Sequence, residues 1–223
     1  MIGAVIRHLA RRFPRLQRLL PTALIVASWH DCARGGGPLV AFLGDSLTSG
    51  WRLREEQAYP ALVARALAAG GRPVRVLNAG RSGDTVAQGL ARLPQILERR
   101  PDVLVVALGV NDALRGLPAA AAETGLRRIV ADARHAGARV ILVGVGGPRA
   151  ADARLRAFAF IHARIAAGEH LPLVPDLLDG VSGHEERLFA DGLHPNAAGQ
   201  EQLATNVRPA LELVLAEMAA PPR

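Results

Sequence analysis

The sequence predicts an α/β fold: a three-layer α/β/α sandwich around a central parallel sheet of about five strands. Three observations carry this. Short apolar runs alternate with longer amphipathic segments along most of the chain, the rhythm of β-α units. The runs are apolar almost throughout, as in strands covered on both faces. Glycines and other turn residues punctuate the joins. Right-handed crossovers then place helices on both sides of the sheet. A chain of 223 residues, half of them hydrophobic, suits one domain with a substantial core.

Residues 38–44, PLVAFLG, read as the first strand. Residues 58–70, AYPALVARALAAG, read as an amphipathic helix closed by Gly70-Gly71. VRVLNAG is the second strand. Residues 84–100 form a helix opened by Asp84 or Thr85 as cap and interrupted by Pro94. DVLVVALG is the third strand, and residues 117–137 form a helix ending at Gly137. RVILVGVGG is the fourth strand, residues 151–168 a helix, and LPLVPD a short fifth strand. Residues 196–218 form the last helix.

The first 28 residues differ from the rest. Arg7, Arg11, Arg12, Arg15 and Arg18 precede the apolar run LLPTALIVASW. That order resembles a secretory signal, with Val26-Ala27-Ser28 as the candidate cleavage site and a periplasmic or secreted destination. The alternatives are a cytosolic arm or a misassigned start codon. The run is too short for a standard spanning helix. Residues 29–37 read as a linker and 38–220 as the folded domain. Bulky, charged Trp29-His30-Asp31 argues against lipidation of Cys32.

All 27 basic residues are Arg, and the pI is about 11.2. Setting aside the five near the start leaves 22 Arg against 20 acidic residues, a weak basis for nucleic-acid binding. The absence of Lys excludes a Schiff-base or P-loop lysine. A single Cys excludes an internal disulfide and any multi-cysteine metal site. His8, His30, His135, His162, His170 and His184 show no spacing typical of a metal site and read as surface or packing residues.

Sites in parallel sheets lie beyond the carboxyl ends of the strands. The first strand is followed by Gly44-Asp45-Ser46-Leu47, the second by a loop from Asn78 to Asp84, and the third by Gly109-Val110-Asn111-Asp112. Asp191-Gly192-Leu193-His194-Pro195-Asn196 stands before the last helix. The spacing of three lets the Asp191 carboxylate accept from the His194 imidazole and leave the other ring nitrogen free as a base. Ser46 is then the candidate nucleophile and starts a helix. The Ser46 and Gly80 backbone N–H groups and the Asn111 amide are candidate oxyanion donors. Asp45 reads as a turn residue. Asp112 serves either the site or the next turn.

Ser, Gly, Asn and His in this order resemble the SGNH (GDSL) hydrolase family. The resemblance covers about residues 38 to 215 and implies a flavodoxin-like fold. It makes Ser46 the nucleophile, with Asp191 and His194 completing the triad and Gly80 and Asn111 as oxyanion donors. It implies no metal or cofactor and a small-molecule ester or thioester substrate. SGDTVAQGLARLP and GVNDALRG resemble the branch of multifunctional bacterial thioesterases, lysophospholipases and arylesterases. That branch commonly has Gly where Val110 stands, and an Arg-x-Pro-x-Asn-Tyr-Gly-like loop where this chain has Gly146-Gly147-Pro148-Arg149-Ala150. Chain-length preference therefore does not carry over. The rival readings are a carbohydrate O-deacetylase of the same family and a non-catalytic acyl- or lipid-binding module.

Overall fold

The computed structural model describes residues 36–145 and 153–220. The signal-like segment, Cys32, most of the linker and the loop at 146–150 lie outside the described residues. Five strands, β1 (Leu39–Gly44), β2 (Arg75–Gly80), β3 (Val103–Ala107), β4 (Arg139–Val143) and β5 (Leu173–Val174), form one sheet in the order β2-β1-β3-β4-β5. Every pair is parallel. The inner strands β1 and β3 are buried at every position, whereas edge strand β2 is partly exposed. That contrast follows from apolar runs covered on both faces.

Side chains alternate across the sheet, so successive β1 residues feed opposite cores. Val40 and Phe42 join Val103, Val105, Ile141 and Val143 on one face, under helices α2 (Tyr59–Ala69) and α7 (Ala197–Ala219). Ala41 and Leu43 join Leu104, Val106, Val140 and Leu142 on the other. That face lies under α3 (Val86–Leu97), α5 (Ala119–His135) and α6 (Ala153–Gly168). The predicted sandwich is the observed one. Two further helices are short: α1 (Ser46–Ser49) and α4 (Val110–Leu114). Each follows an inner strand at its carboxyl end.

One expectation is corrected. Pro94 does not interrupt its helix, which runs unbroken from Val86 to Leu97. The buried positions of α3 are Val86, Gly89, Leu93 and Ile96, and Pro94 lies on the exposed side. The proline ring therefore meets solvent and not the core, although the helix still forgoes one N–H bond at that position. Thr85 is the cap, accepting from the Gln88 N–H, while the Gln88 side chain accepts from the Thr85 N–H.

Candidate active site

The carboxyl ends of β1 and β2 are a rung of two glycines, Gly44 beside Gly80. Both are dictated by α1 folding back over the strand ends. A Cβ on Gly44 would meet Thr48 Oγ1 at 2.0 Å, and one on Gly80 would meet the Ser49 backbone nitrogen at 2.3 Å. No side chain fits at either place. The fold-back gives α1 its direction, and Asp45 gives it a start. The Asp45 carboxylate caps the helix by accepting from the Leu47 N–H at 2.9 Å. Ser46 is therefore the first residue of the helix and not its cap, and its hydroxyl is left for other work.

Further side chains pin α1. Gln200, buried on α7, donates to the Leu47 carbonyl and accepts from the Tyr59 N–H. Asn78 donates to the Thr48 carbonyl, and the Thr48 and Tyr59 hydroxyls meet at 3.1 Å. The short helix is thus tied to β2, α2 and α7.

The segment before α7 is held as firmly. Asn196 caps α7 by accepting from the Gly199 N–H, and its amide donates to the Glu186 and Leu188 carbonyls. Gly192 turns the chain with φ of 66°. Asp191 Oδ1 accepts from the N–H groups of Leu193 and His194, each at 3.0 Å. Its Oδ2 lies 2.9 Å from His194 Nδ1. These N–H groups, then the imidazole, hold the Asp191 carboxyl down at about 2. An ionised carboxylate only accepts, so Nδ1 carries the ring proton and Nε2 is the acceptor. His194 Nε2 is 3.0 Å from Ser46 Oγ. Ser46, His194 and Asp191 form one hydrogen-bonded chain across residues 148 positions apart in sequence.

A cavity of about 350 Å³ opens beside this chain. Ser46, Asn111 and His194 face it, with Ser82 and Gly83 on one side. The remaining wall is apolar, formed by Leu47, Trp51, Val110, Leu114, Leu178 and Leu193. Asn111 sits in α4, which follows β3 through Gly109 at φ of 122°. Its amide donates to the Asp84 carbonyl at 3.0 Å and to Asp45 Oδ2 at 3.3 Å.

Gly80 stands differently from the expectation. Its N–H donates to Asn78 Oδ1 at 3.0 Å, and it is not on the cavity wall. Gly83, three residues on, is there, with φ of 83°. Two glycines in one loop look alike in sequence. The Ser-Gly-Asp triplet, a turn signature before the Thr85 cap, is the feature that marks the second.

Buried carboxylates support this wall. Burial pushes the Asp45 carboxyl up to about 7, against the pull of the Leu47 N–H and with help from Asp84 and Asp112 nearby. Asp84 is paired with Arg92, which also donates to the Gly44 carbonyl. Asp112 accepts from the Val86 N–H at the start of α3, so its carboxylate serves an earlier helix and not the turn that follows it. His162 is fully buried and packs its ring nitrogens against the Phe158 and Leu108 carbonyls, bracing the turn before Asn111. His135, His170 and His184 are exposed. Among the described residues no cluster of His, Cys, Asp and Glu could hold a metal ion, and no helix is long and apolar enough to cross a membrane.

The sequence pattern of the GDSL-like lipase/acylhydrolase family matches residues 42–202. The chain is 41% identical over 175 residues to the esterase TesA of Pseudomonas aeruginosa, covering 78% of this chain and 87% of that one. It is 36% identical to an arylesterase of Vibrio mimicus, over 77% of this chain and 86% of the other. It is 37% identical to thioesterase 1/protease 1/lysophospholipase L1 of Escherichia coli K12, over 73% and 77%. A crystal structure of TesA matches with a TM-score of 0.75 at 39% identity, covering 79% of this chain and 99% of that one.

Proposed function

Since this chain belongs to the GDSL-like lipase/acylhydrolase family, we propose that it cleaves carboxylic esters and thioesters through a triad of Ser46, His194 and Asp191. That it is an ester hydrolase acting on small-molecule esters follows from its esterase, arylesterase and thioesterase relatives. The observation that carries the triad is the hydrogen-bonded chain from Ser46 Oγ through His194 to Asp191, at 3.0 and 2.9 Å.

In this reading His194 Nε2 takes the Ser46 proton as Oγ attacks the acyl carbonyl. The C–O or C–S bond then breaks, and His194 returns the proton to the leaving alcohol or thiol. Water, activated by the same nitrogen, attacks the acyl-enzyme and releases the acid and the free serine. Asp191 holds the tautomer and stabilises the imidazolium. The oxyanion donors we assign are the N–H groups of Ser46 and Gly83 and the Asn111 amide. Ser46 opens a helix, where the first N–H groups have no partner within the helix. Gly83 takes the place of Gly80, whose N–H is already bonded to Asn78. Asn111 keeps its 3.0 Å bond to the Asp84 carbonyl and gives up the longer one to Asp45. The apolar wall takes the acyl chain.

The test is a series of p-nitrophenyl esters from acetyl to palmitoyl beside acyl-CoA thioesters of the same lengths. Hydrolysis of both series is expected, with acetyl and longer acyl groups alike. Ester cleavage confined to acetyl would favour a deacetylase, and no thioester cleavage at any length would remove that half of the proposal. We also place the working enzyme outside the cytoplasm, on the signal-like order of residues 1–28. N-terminal sequencing of protein from a periplasmic extract is expected to give a start near residue 29. An intact Met1 in the cytosolic fraction would contradict it.

A further inference from the structure

His194 is held at both nitrogens, by Asp191 and by Ser46. Both bonds lie at the ring's edge, and hydrogen bonds tolerate some bending, so they resist small tilts of the ring about its Cβ–Cγ bond less firmly than contact against its face. Trp51 makes such a contact. Its indole stacks on the imidazole with centroids 4.1 Å apart and planes 29° from parallel. The indole is itself buttressed. Phe189, two residues before Asp191, meets it edge-on at 6.1 Å, and the Arg52 guanidinium lies 4.2 Å over its centroid.

The backbone that presents the indole is unusual. Trp51 N–H bonds to the Ser46 carbonyl, so the ring leaves from the nucleophile's own turn. Gly50 closes that turn at φ of 69°, and Arg52 follows with φ of 62°. The left-handed region is unfavourable for a residue with a side chain. The chain accepts this strain beside the site, where such residues tend to cluster.

We propose that Trp51 is a positioning residue for the general base. Resting on the triad reading above, it acts through His194 in two ways. It fixes the plane of the ring so that Nε2 stays aimed at Ser46 Oγ. It also places the indole π-face against the ring that becomes a cation as the proton is taken, where the ring quadrupole attracts positive charge. The ionisable groups on the elements around the imidazole include Asp191 on its own segment, Asp45 and Arg52 at the two ends of the nucleophile's turn, Asp84 beside Gly83, Asp112 and Arg115 on and after α4, and Asp176 and Asp179 on either side of Leu178. Arg52 competes for the same indole, and Asp191 supports the charge on His194.

The test uses the full chain with Trp51→Leu and Trp51→Phe, beside Ser46→Ala. The substrate is p-nitrophenyl acetate, whose short acyl group makes least use of the apolar wall that Trp51 also lines. Trp51→Leu is expected to lower kcat about tenfold to hundredfold, the cost of a misplaced catalytic group, with little change in KM. The acid limb of its kcat/KM–pH profile is expected to move to lower pH, because the charged ring loses its π-face. Trp51→Phe restores an aromatic face and should recover most of kcat and the position of that limb. Three results would overturn the proposal: wild-type kcat and an unmoved limb in Trp51→Leu, a change confined to KM, or a Phe variant as impaired as the Leu variant while both melt like wild type. Ser46→Ala separates the two claims. If it stays active, the triad reading fails; if it is inactive and Trp51→Leu is unaffected, only the role of Trp51 fails.

Discussion

Asp45 and Ser46 are adjacent residues that divide two tasks. The carboxylate of one caps the helix, and the hydroxyl of the other is thereby available to His194. Asp45 performs this while buried, and burial pushes its carboxyl to about 7. An ordinary unfolded Asp releases its proton near 3.8. The folded protein thus keeps a proton that the unfolded chain gives up. Stability from this source is fully present below 3.8 and is lost as pH rises through 7. Asp45→Asn is therefore expected to flatten the fall in stability between pH 4 and 7, measured by urea unfolding at stepped pH; a slope unchanged from wild type would contradict the assignment. Asp191 behaves oppositely, held near 2 by two backbone N–H groups and the imidazole, so it stays ionised wherever the enzyme works. Asp191→Asn should lower kcat by roughly 10³- to 10⁴-fold through the wrong tautomer, read on p-nitrophenyl acetate, and a loss under tenfold would count against its role. Ser46, Asn111, Asp191 and His194 were legible in the sequence because each sits in a turn motif at an element's end. Gly83 and Trp51 were not. A left-handed φ and a stacked ring come from tertiary packing that no local pattern encodes.

The element that matters most is the four-residue helix α1, too short for any periodicity to announce. Its placement depends on contacts with β2, α2 and α7, made by Asn78, the Tyr59 hydroxyl and Gln200. It depends equally on Gly80. Replacing Gly80 with Ala puts a Cβ 2.3 Å from the Ser49 nitrogen, a backbone atom that can retreat only by moving α1. Gly80→Ala is expected to cost about 1–3 kcal/mol and to depress kcat as Ser46 shifts, checked by urea melts alongside ester hydrolysis. A stable, fully active Gly80→Ala would contradict this account of the fold-back. Longer elements were legible from their apolar spacing. The path of α3 through Pro94 was not, because a proline in sequence does not reveal which side of its helix faces water.

At the scale of the molecule, strand order makes the site. β1 lies between β2 and β3, so the loops after all three converge at one end of the sheet. The segment before α7 brings His194, with Asp191 beside it, to the same end from 148 residues beyond Ser46. The parallel, doubly covered sheet could be read from its apolar strands and alternating helices. The convergence is a property of topology, which the sequence carries only in the order of the family's motifs. Charge was also a whole-chain matter: a pI of about 11.2 reflects Arg without Lys and a basic start more than a basic domain surface. The central claim, that Ser46 is the nucleophile, is tested most directly by treating the protein with an alkyl fluorophosphonate and mapping the adduct by peptide mass. One modified residue is expected, Ser46, with ester hydrolysis lost in step with labelling and no adduct in Ser46→Ala. Inactivation with the label on another residue, or full activity remaining after Ser46 is modified, would contradict it.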